Sequence, residues 1–107
     1  MRLGVVVKVY VDFSLYSSPN DPYANVTGYV DRPHTPYVGE LLALIEVAAT
    51  GPAVFLPVAA VGDSVALGIG SVWLEDQVLD GLDLAEELGR RLDAETKLRV
   101  YVYGASD

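Results

Sequence analysis

Alternation of apolar and polar residues at both ends of the chain constrains its fold more than any other feature. In residues 4–13, one side of an extended chain carries Val5, Val7, Val9, Val11 and Phe13, and the other carries Val6, Lys8, Tyr10 and Asp12. In residues 97–103, the inward set is Leu98, Val100 and Val102, and the outward set is Lys97, Arg99, Tyr101 and Tyr103. A period of two is typical of a half-buried strand. Both ends therefore predict strands of one sheet with an open polar face.

Two internal segments have the residue spacing of helices. The first follows Thr35 as N-cap and Pro36 as first helical residue, ends at Gly51–Pro52, and carries Leu41, Leu44, Ile45 and Ala48 on one side. The second begins near Asp80 or Asp83, with Glu86 completing a capping box, and repeats Leu84, Leu88 and Leu92. The sequence thus predicts two helices that cover the apolar face of the sheet.

The remaining segments complete the predicted order of elements. Residues 14–24 form a predicted loop, residues 25–30 a short strand, and residues 53–61 and 65–74 a hairpin that turns at Gly62–Asp63. The order is β-β-α-β-β-α-β, which without its first strand is the ferredoxin-like βαββαβ order. We therefore expect residues 1–107 to form a single α+β domain with a mostly antiparallel sheet and two helices on one face. Another α+β sandwich with the same elements is the alternative.

Composition excludes several classes of function. The 107 residues include no Cys, which excludes disulfide frameworks, zinc–cysteine sites and thiol catalysis and suits a reducing compartment. A net charge of −8 disfavours binding to nucleic acid or to anionic lipid. No apolar run reaches the roughly 20 residues of a membrane span. We expect a cytoplasmic protein, and the 51% apolar content favours a homodimer.

The polar faces of the two terminal strands form the first candidate site. If they lie side by side, cations and tyrosines share one surface, which comprises Lys8, Tyr10, Lys97, Arg99, Tyr101 and Tyr103. Tyrosine and arginine are enriched at the energetic centres of protein interfaces. A basic aromatic sheet also resembles single-stranded RNA platforms, but the net charge opposes that function. Ordinary cross-strand pairing of tyrosines is the alternative explanation.

Acidic residues form the second candidate site. Residues 75–95 hold eight of the fifteen carboxylates, and the predicted partner-binding set is Glu75, Asp76, Asp80, Asp83, Glu86 and Glu87. Such a surface could dock a basic protein or imitate nucleic-acid phosphates. A solvated helix face is the ordinary alternative.

A third set offers an alternative small-molecule pocket. It comprises Asp31, Arg32, His34, Gly68 and Gly70. Arg32 could clamp a carboxylate or phosphate, and the glycines could admit a ligand or a closely packed helix. His34 is the only histidine and lacks a nucleophile motif, so we expect no catalytic residue, no metal and no cofactor.

These observations favour a small non-enzymatic protein-binding module, namely an adaptor, inhibitor or immunity-type protein. It would recognise a protein partner through the tyrosine-rich sheet face and the acidic helix region. The alternatives are a small-molecule-binding or catalytic ferredoxin-like dimer with a pocket near His34 and Arg32, and a self-assembling structural subunit. No motif in the sequence identifies a family.

Overall fold

The computed structural model describes residues 7–46, 51–64 and 69–104, which form seven strands and one helix. The elements are β1 (Val7–Ser18), β2 (Asp21–Arg32), β3 (Leu41–Ile45), β4 (Val54–Ser64), β5 (Ile69–Leu74), β6 (Gln77–Val78), α1 (Leu82–Glu95) and β7 (Arg99–Val102). Residues 4–6 of the first predicted strand and Ala48, Val65 and Gly68 lie outside the described residues.

The strands form one curled, mixed sheet in the order β3-β4-β5-β1-β2-β7, and β6 continues beside β1 where β5 ends. Two pairs of neighbouring strands are parallel, β1 with β5 and β1 with β6, and all the others, β1 with β2 included, are antiparallel. Helix α1 contacts β1, β2, β3 and β7, so it lies against the inner side of the half-barrel. The opposite side of β1, β2 and β7 is the outer face of the sheet.

The core lies between α1 and the inner side of the sheet. Alternate residues of β1 are fully or almost fully buried there: Val9, Val11, Phe13 and Leu15. Helix α1 contributes Ala85 and Leu92, which are both inaccessible to solvent. The alternation in the sequence therefore identified the correct inward side of β1. Burial of a large apolar side chain contributes roughly 1.5–3 kcal/mol, so this row fixes the register of the central strand.

The prediction of a ferredoxin-like core with two helices on one face is wrong. The described part of the chain is mostly sheet and contains a single helix. In the observed order β1 is a central strand, paired with β2 on one side and with β5 and β6 on the other. The predicted order of elements is wrong because the segment predicted as the first helix contains a strand.

That strand is β3, within the predicted first helix. Leu41–Ile45 is a run of five apolar residues, and such a short run fits a buried helix or a strand equally well by periodicity. Pairing with β4 decides the outcome, with Leu42 opposite Leu56 and a register shift between Ala43 and Ile45. Leu42 and Ile45 are buried, whereas Leu41 is 63% exposed. Backbone pairing with a neighbouring strand overrides helical propensity here.

Two predicted loops are also strand. The segment 14–24 belongs to a long hairpin, because β1 continues to Ser18 and β2 begins at Asp21. Register shifts near Tyr16 absorb the irregularity of this polar segment. The predicted turn at Gly62–Asp63 is wrong as well, since these residues pair with Ser71 and Gly70. The hairpin of β4 and β5 itself is present and antiparallel.

The second predicted helix is present as α1, but its start and its buried side differ from the prediction. Gly81 is the N-cap residue and makes no side-chain cap hydrogen bond, so Asp83 lies inside the first turn and no capping box forms. The buried side carries Ala85, Gly89 and Leu92, while Leu84 is 46% exposed. Arg91 is buried too, where it donates hydrogen bonds to Glu95 and to the Pro52 carbonyl.

Candidate functional site

The outer face of the sheet brings the six predicted sheet-face residues together. Register places Tyr10 opposite Tyr29, Asp12 opposite Thr27, and Thr27 opposite Arg99, so β2 bridges the two terminal strands. Tyr101 lies one step further along, opposite Asn25. Because strands are about 4.8 Å apart, β1 and β7 are about 10 Å apart across β2. One surface therefore carries Lys8, Tyr10, Lys97, Arg99, Tyr101 and Tyr103.

Aromatic contacts hold the centre of this face. The rings of Tyr10 and Tyr29 meet edge to face with centroids 5.0 Å apart. The Lys8 ammonium lies 5.8 Å from the centre of the Tyr29 ring, which is within cation–π range. Such contacts restrict the rotamers of all three side chains before a partner arrives, which lowers the entropy lost on binding.

A depression of about 510 Å³ lies among these side chains. Its lining residues are Lys8, Tyr10, Thr27, Gly28, Tyr29, Asp31, Lys97, Arg99 and Tyr101. Three cations and one carboxylate border it, so its rim is more basic than the chain as a whole. A depression of this size with tyrosine walls can accept a protruding side chain of a partner.

Sequence reasoning missed Tyr29, which belongs to the outer face, and Trp73, which borders it. Tyr29 is 47% exposed and packs at its centre, and Trp73 is 47% exposed on β5, beside Asp12 in the parallel register. The same period of two could have identified both residues. In β2, Asn25 and Thr27 alternate with the buried Ala24 and Val26, and Tyr29 is the next residue of the same outward series. In β5, Ser71 and Trp73 alternate with Val72 and Leu74.

The six predicted acidic residues do not form one surface. Glu75 and Asp76 follow β5 and border a cleft with Asp12, Ser14 and Trp73, next to the outer face. The other four are exposed on α1 or just before it: Asp80, Asp83, Glu86 and Glu87. Since α1 lies on the inner side of the sheet, the acidic helix region and the tyrosine-rich face point in different directions.

Asp76 has a structural contact that its neighbours in the acidic set do not share within the described residues. Its carboxylate accepts a hydrogen bond of 2.8 Å from the backbone N–H of Ser14. Ser14 lies in β1 between the end of its pairing with β5 and the start of its pairing with β6, which begins at Leu15. The Asp76 carboxylate therefore satisfies a backbone donor in a gap of the sheet.

The third predicted set is dispersed among structural contacts. The Arg32 guanidinium donates to the carbonyls of Asp31 and Ala43, so it ties the end of β2 to β3. The His34 ring stacks on Tyr37 and its Nε2 lies 3.8 Å from a Glu40 carboxylate oxygen, while its side chain is 58% exposed. A Cβ at Gly70 would lie 3.7 Å from the Thr35 side chain, so Thr35 lies beside this glycine where we expected a helix or a ligand.

Within residues 7–46, 51–64 and 69–104, no three His, Asp or Glu side chains are grouped so that they could hold a metal ion. None of the helical structure found in these ranges is both long and apolar enough to cross a bilayer.

Comparisons with known proteins identify no relative of this chain. No family model matches the chain, and neither a curated protein nor a solved structure matches it significantly.

Proposed function

We propose that the chain is a protein-binding module that recognises its partner through the outer face of β1, β2 and β7. The observation that carries this proposal is the cluster of exposed tyrosines and cations on one continuous surface. Tyr29, Tyr101 and Tyr103 are each about half exposed, at 47%, 53% and 48%. Aromatic residues and arginine dominate the energetic centres of interfaces, because they bury a large area at a small entropic cost.

The chemistry of the face defines the partner surface that it fits. The cations Lys8, Lys97 and Arg99 favour a partner with carboxylates at the rim of the contact. The tyrosine-walled depression fits an apolar or aromatic side chain of the partner at the centre of the contact. A net charge of −8 on the whole chain opposes an RNA partner for the same basic aromatic face. We place the module in the cytoplasm, which its cysteine-free composition supports.

Site-specific photo-crosslinking in cells tests this proposal. Benzoyl-phenylalanine replaces Tyr101 on the outer face in one variant and Tyr37 in a control variant. Tyr37 is equally suited to replacement, because it is aromatic and 64% exposed, but it lies outside the face. We expect a protein adduct from position 101 and none from position 37.

Two outcomes would contradict the proposal. Adducts from position 37 alone would place recognition elsewhere on the molecule. Adducts of the chain with itself alone, from position 101, would instead support a self-assembling subunit, and sedimentation of the purified chain would then show an oligomer.

A further inference from the structure

Strand β7 forms one edge of the sheet, and its outward backbone groups are arranged to accept another strand. Among the described strands, β7 pairs only with β2. The N–H of Tyr103 donates to the Tyr23 carbonyl at 2.8 Å, which fixes the direction of the ladder. Backbone groups alternate in direction along an antiparallel strand. Arg99, Tyr101 and Tyr103 therefore face β2, and the N–H and C=O groups of Val100 and Val102 face the edge.

A groove runs between this edge strand and α1. Its volume is about 340 Å³, and its lining residues are Tyr23, Glu86, Gly89, Arg90, Asp93, Val100 and Val102. Val102 is 41% exposed although its side chain lies on the inner side of the sheet. A Cβ at Gly89 would lie 3.4 Å from the Tyr23 ring, in ordinary van der Waals contact, so the helix packs directly against Tyr23 at this position. The groove thus has an apolar floor beside an open strand edge.

Charge selects the kind of strand that fits. The helical wall presents Glu86 and Asp93, with one cation, Arg90, between them. With two carboxylates against one cation on this wall, and a net charge of −8 on the whole chain, the field over the groove is negative. A second copy of the chain, paired edge to edge about a twofold axis, would bring two acidic helices together. A strand from a basic segment avoids that repulsion.

We propose that β7 and α1 form a docking site for an extended peptide that adds a strand to β7 and directs lysine or arginine side chains toward Glu86 and Asp93. Main-chain hydrogen bonds to Val100 and Val102 supply affinity, and alternate side chains of the peptide enter the groove and supply selectivity. This site is separate from the outer face and does not depend on the function proposed for it.

Titration of the full chain with a defined peptide tests the proposal. The probe has the sequence Thr-Lys-Thr-Val-Thr-Lys-Thr, in which Lys, Val and Lys point to the same side, and the control peptide has Glu in place of Lys. We expect the probe to shift the amide resonances of Val100 and Val102 and to slow their hydrogen exchange. The amides of Tyr101 and Tyr103 already pair with β2 and are expected to be protected without peptide.

Two variants separate the backbone and charge contributions. Val102→Pro removes the edge N–H where proline is tolerated, and we expect it to weaken probe binding by at least about tenfold. Val102→Thr keeps the N–H and should weaken binding less than Val102→Pro. The double variant Glu86→Lys with Asp93→Lys should weaken probe binding by about tenfold or more. The control double variant, Asp83→Lys with Glu87→Lys, makes the same charge change outside the groove and should weaken probe binding by less than about threefold. A probe N-methylated at its central valine tests the backbone contact without altering the protein.

Other results would overturn the proposal. Equal binding of the probe and the Glu control peptide would exclude charge selection, and an unshifted Val100 and Val102 would exclude strand addition. Protection of both amides in the free chain, together with a dimer in sedimentation, would assign the edge to a second copy. Loss of crosslinking from the outer face, with probe binding intact, would contradict only the function proposed for the outer face. The docking site at β7 and α1 would be unaffected by that result.

Discussion

Gly28 occupies a position in β2 that glycine alone accommodates. Its φ of +154° lies in a region that other residues rarely adopt, and a Cβ there would lie 2.9 Å from the Leu98 side chain and 3.1 Å from the Leu98 Cα atom. The close approach positions the residues that lead into β7, and with them Lys97 and Arg99 on the outer face. The candidate site thus depends on a residue without a side chain.

We predict that Gly28→Ala destabilises the chain by about 2–3 kcal/mol, because backbone strain adds to a clash with the Leu98 backbone. The matched control is Gly39→Ala, at φ +92° with nothing within 4 Å of its added Cβ, which incurs backbone strain only. Its expected cost is about 1 kcal/mol. Urea denaturation measures both values, and equal losses would show that the contact with Leu98 contributes nothing.

Asp76 provides a second test at the scale of one residue. Asp76→Ala removes the acceptor for the Ser14 N–H, and we expect a loss of about 1–2 kcal/mol in the free energy of unfolding. Asp76→Asn keeps an oxygen acceptor and should lose about half as much. Asp80→Ala, at an exposed position two residues beyond β6, is the control and should change stability by less than about 0.5 kcal/mol. A loss no larger for Asp76→Ala than for Asp80→Ala would refute the gap-filling role.

Sequence patterns were informative at the residue scale where a side chain's direction follows from a period of two. That period identified the buried side of β1 and the outward direction of Lys8, Tyr10, Arg99 and Tyr101. It could not reveal the role of Asp76, because the distance of 62 positions between Asp76 and Ser14 is closed only by the pairing of β1 with β5 and β6. The contact of Arg32 with the Ala43 carbonyl could not be predicted for the same reason, since Ala43 belongs to an unexpected strand.

At the scale of elements, β3 is the decisive segment. The helical interpretation places Leu41, Leu44 and Ile45 inward, whereas the strand buries Leu42 to 2% exposure and leaves Leu41 at 63%. Five apolar residues in succession carry no alternation, so only the partner strand determines which side is buried. Helix α1, by contrast, has 14 residues and a sustained helical repeat, and its existence could be predicted.

Alanine substitutions distinguish the two interpretations of residues 41–45. We expect Leu42→Ala to lower the free energy of unfolding by about 2–4 kcal/mol, because it leaves a cavity beside Leu56, and Leu41→Ala to lower it by less than about 1 kcal/mol. The two changes remove the same atoms from neighbouring residues, so each controls the other. A larger loss for Leu41→Ala, measured by thermal or urea unfolding, would support the helix.

At the scale of the whole molecule, the curled sheet separates two chemically different surfaces. The convex side presents tyrosines and cations, and the concave side presents α1 with its carboxylates. Residue spacing alone suggested both surfaces, but their relative placement required the strand order, in which β2 separates β1 from β7. A partner that contacts the outer face therefore leaves α1 and the β7 groove accessible from the other side.

The affinity of the crosslinked partner, once purified, for outer-face variants tests the central claim most directly. The variant Tyr29→Thr with Tyr101→Thr keeps strand propensity while removing both rings from the face, and Tyr37→Thr is the control for an exposed tyrosine elsewhere. If the outer face is the recognition surface, calorimetry will show at least about thirtyfold weaker binding for the double variant, since two interface tyrosines contribute about 1 kcal/mol or more each. The Tyr37→Thr variant should then bind like the unmodified chain. Unchanged affinity of the double variant, with its unfolding curve intact, would contradict the claim.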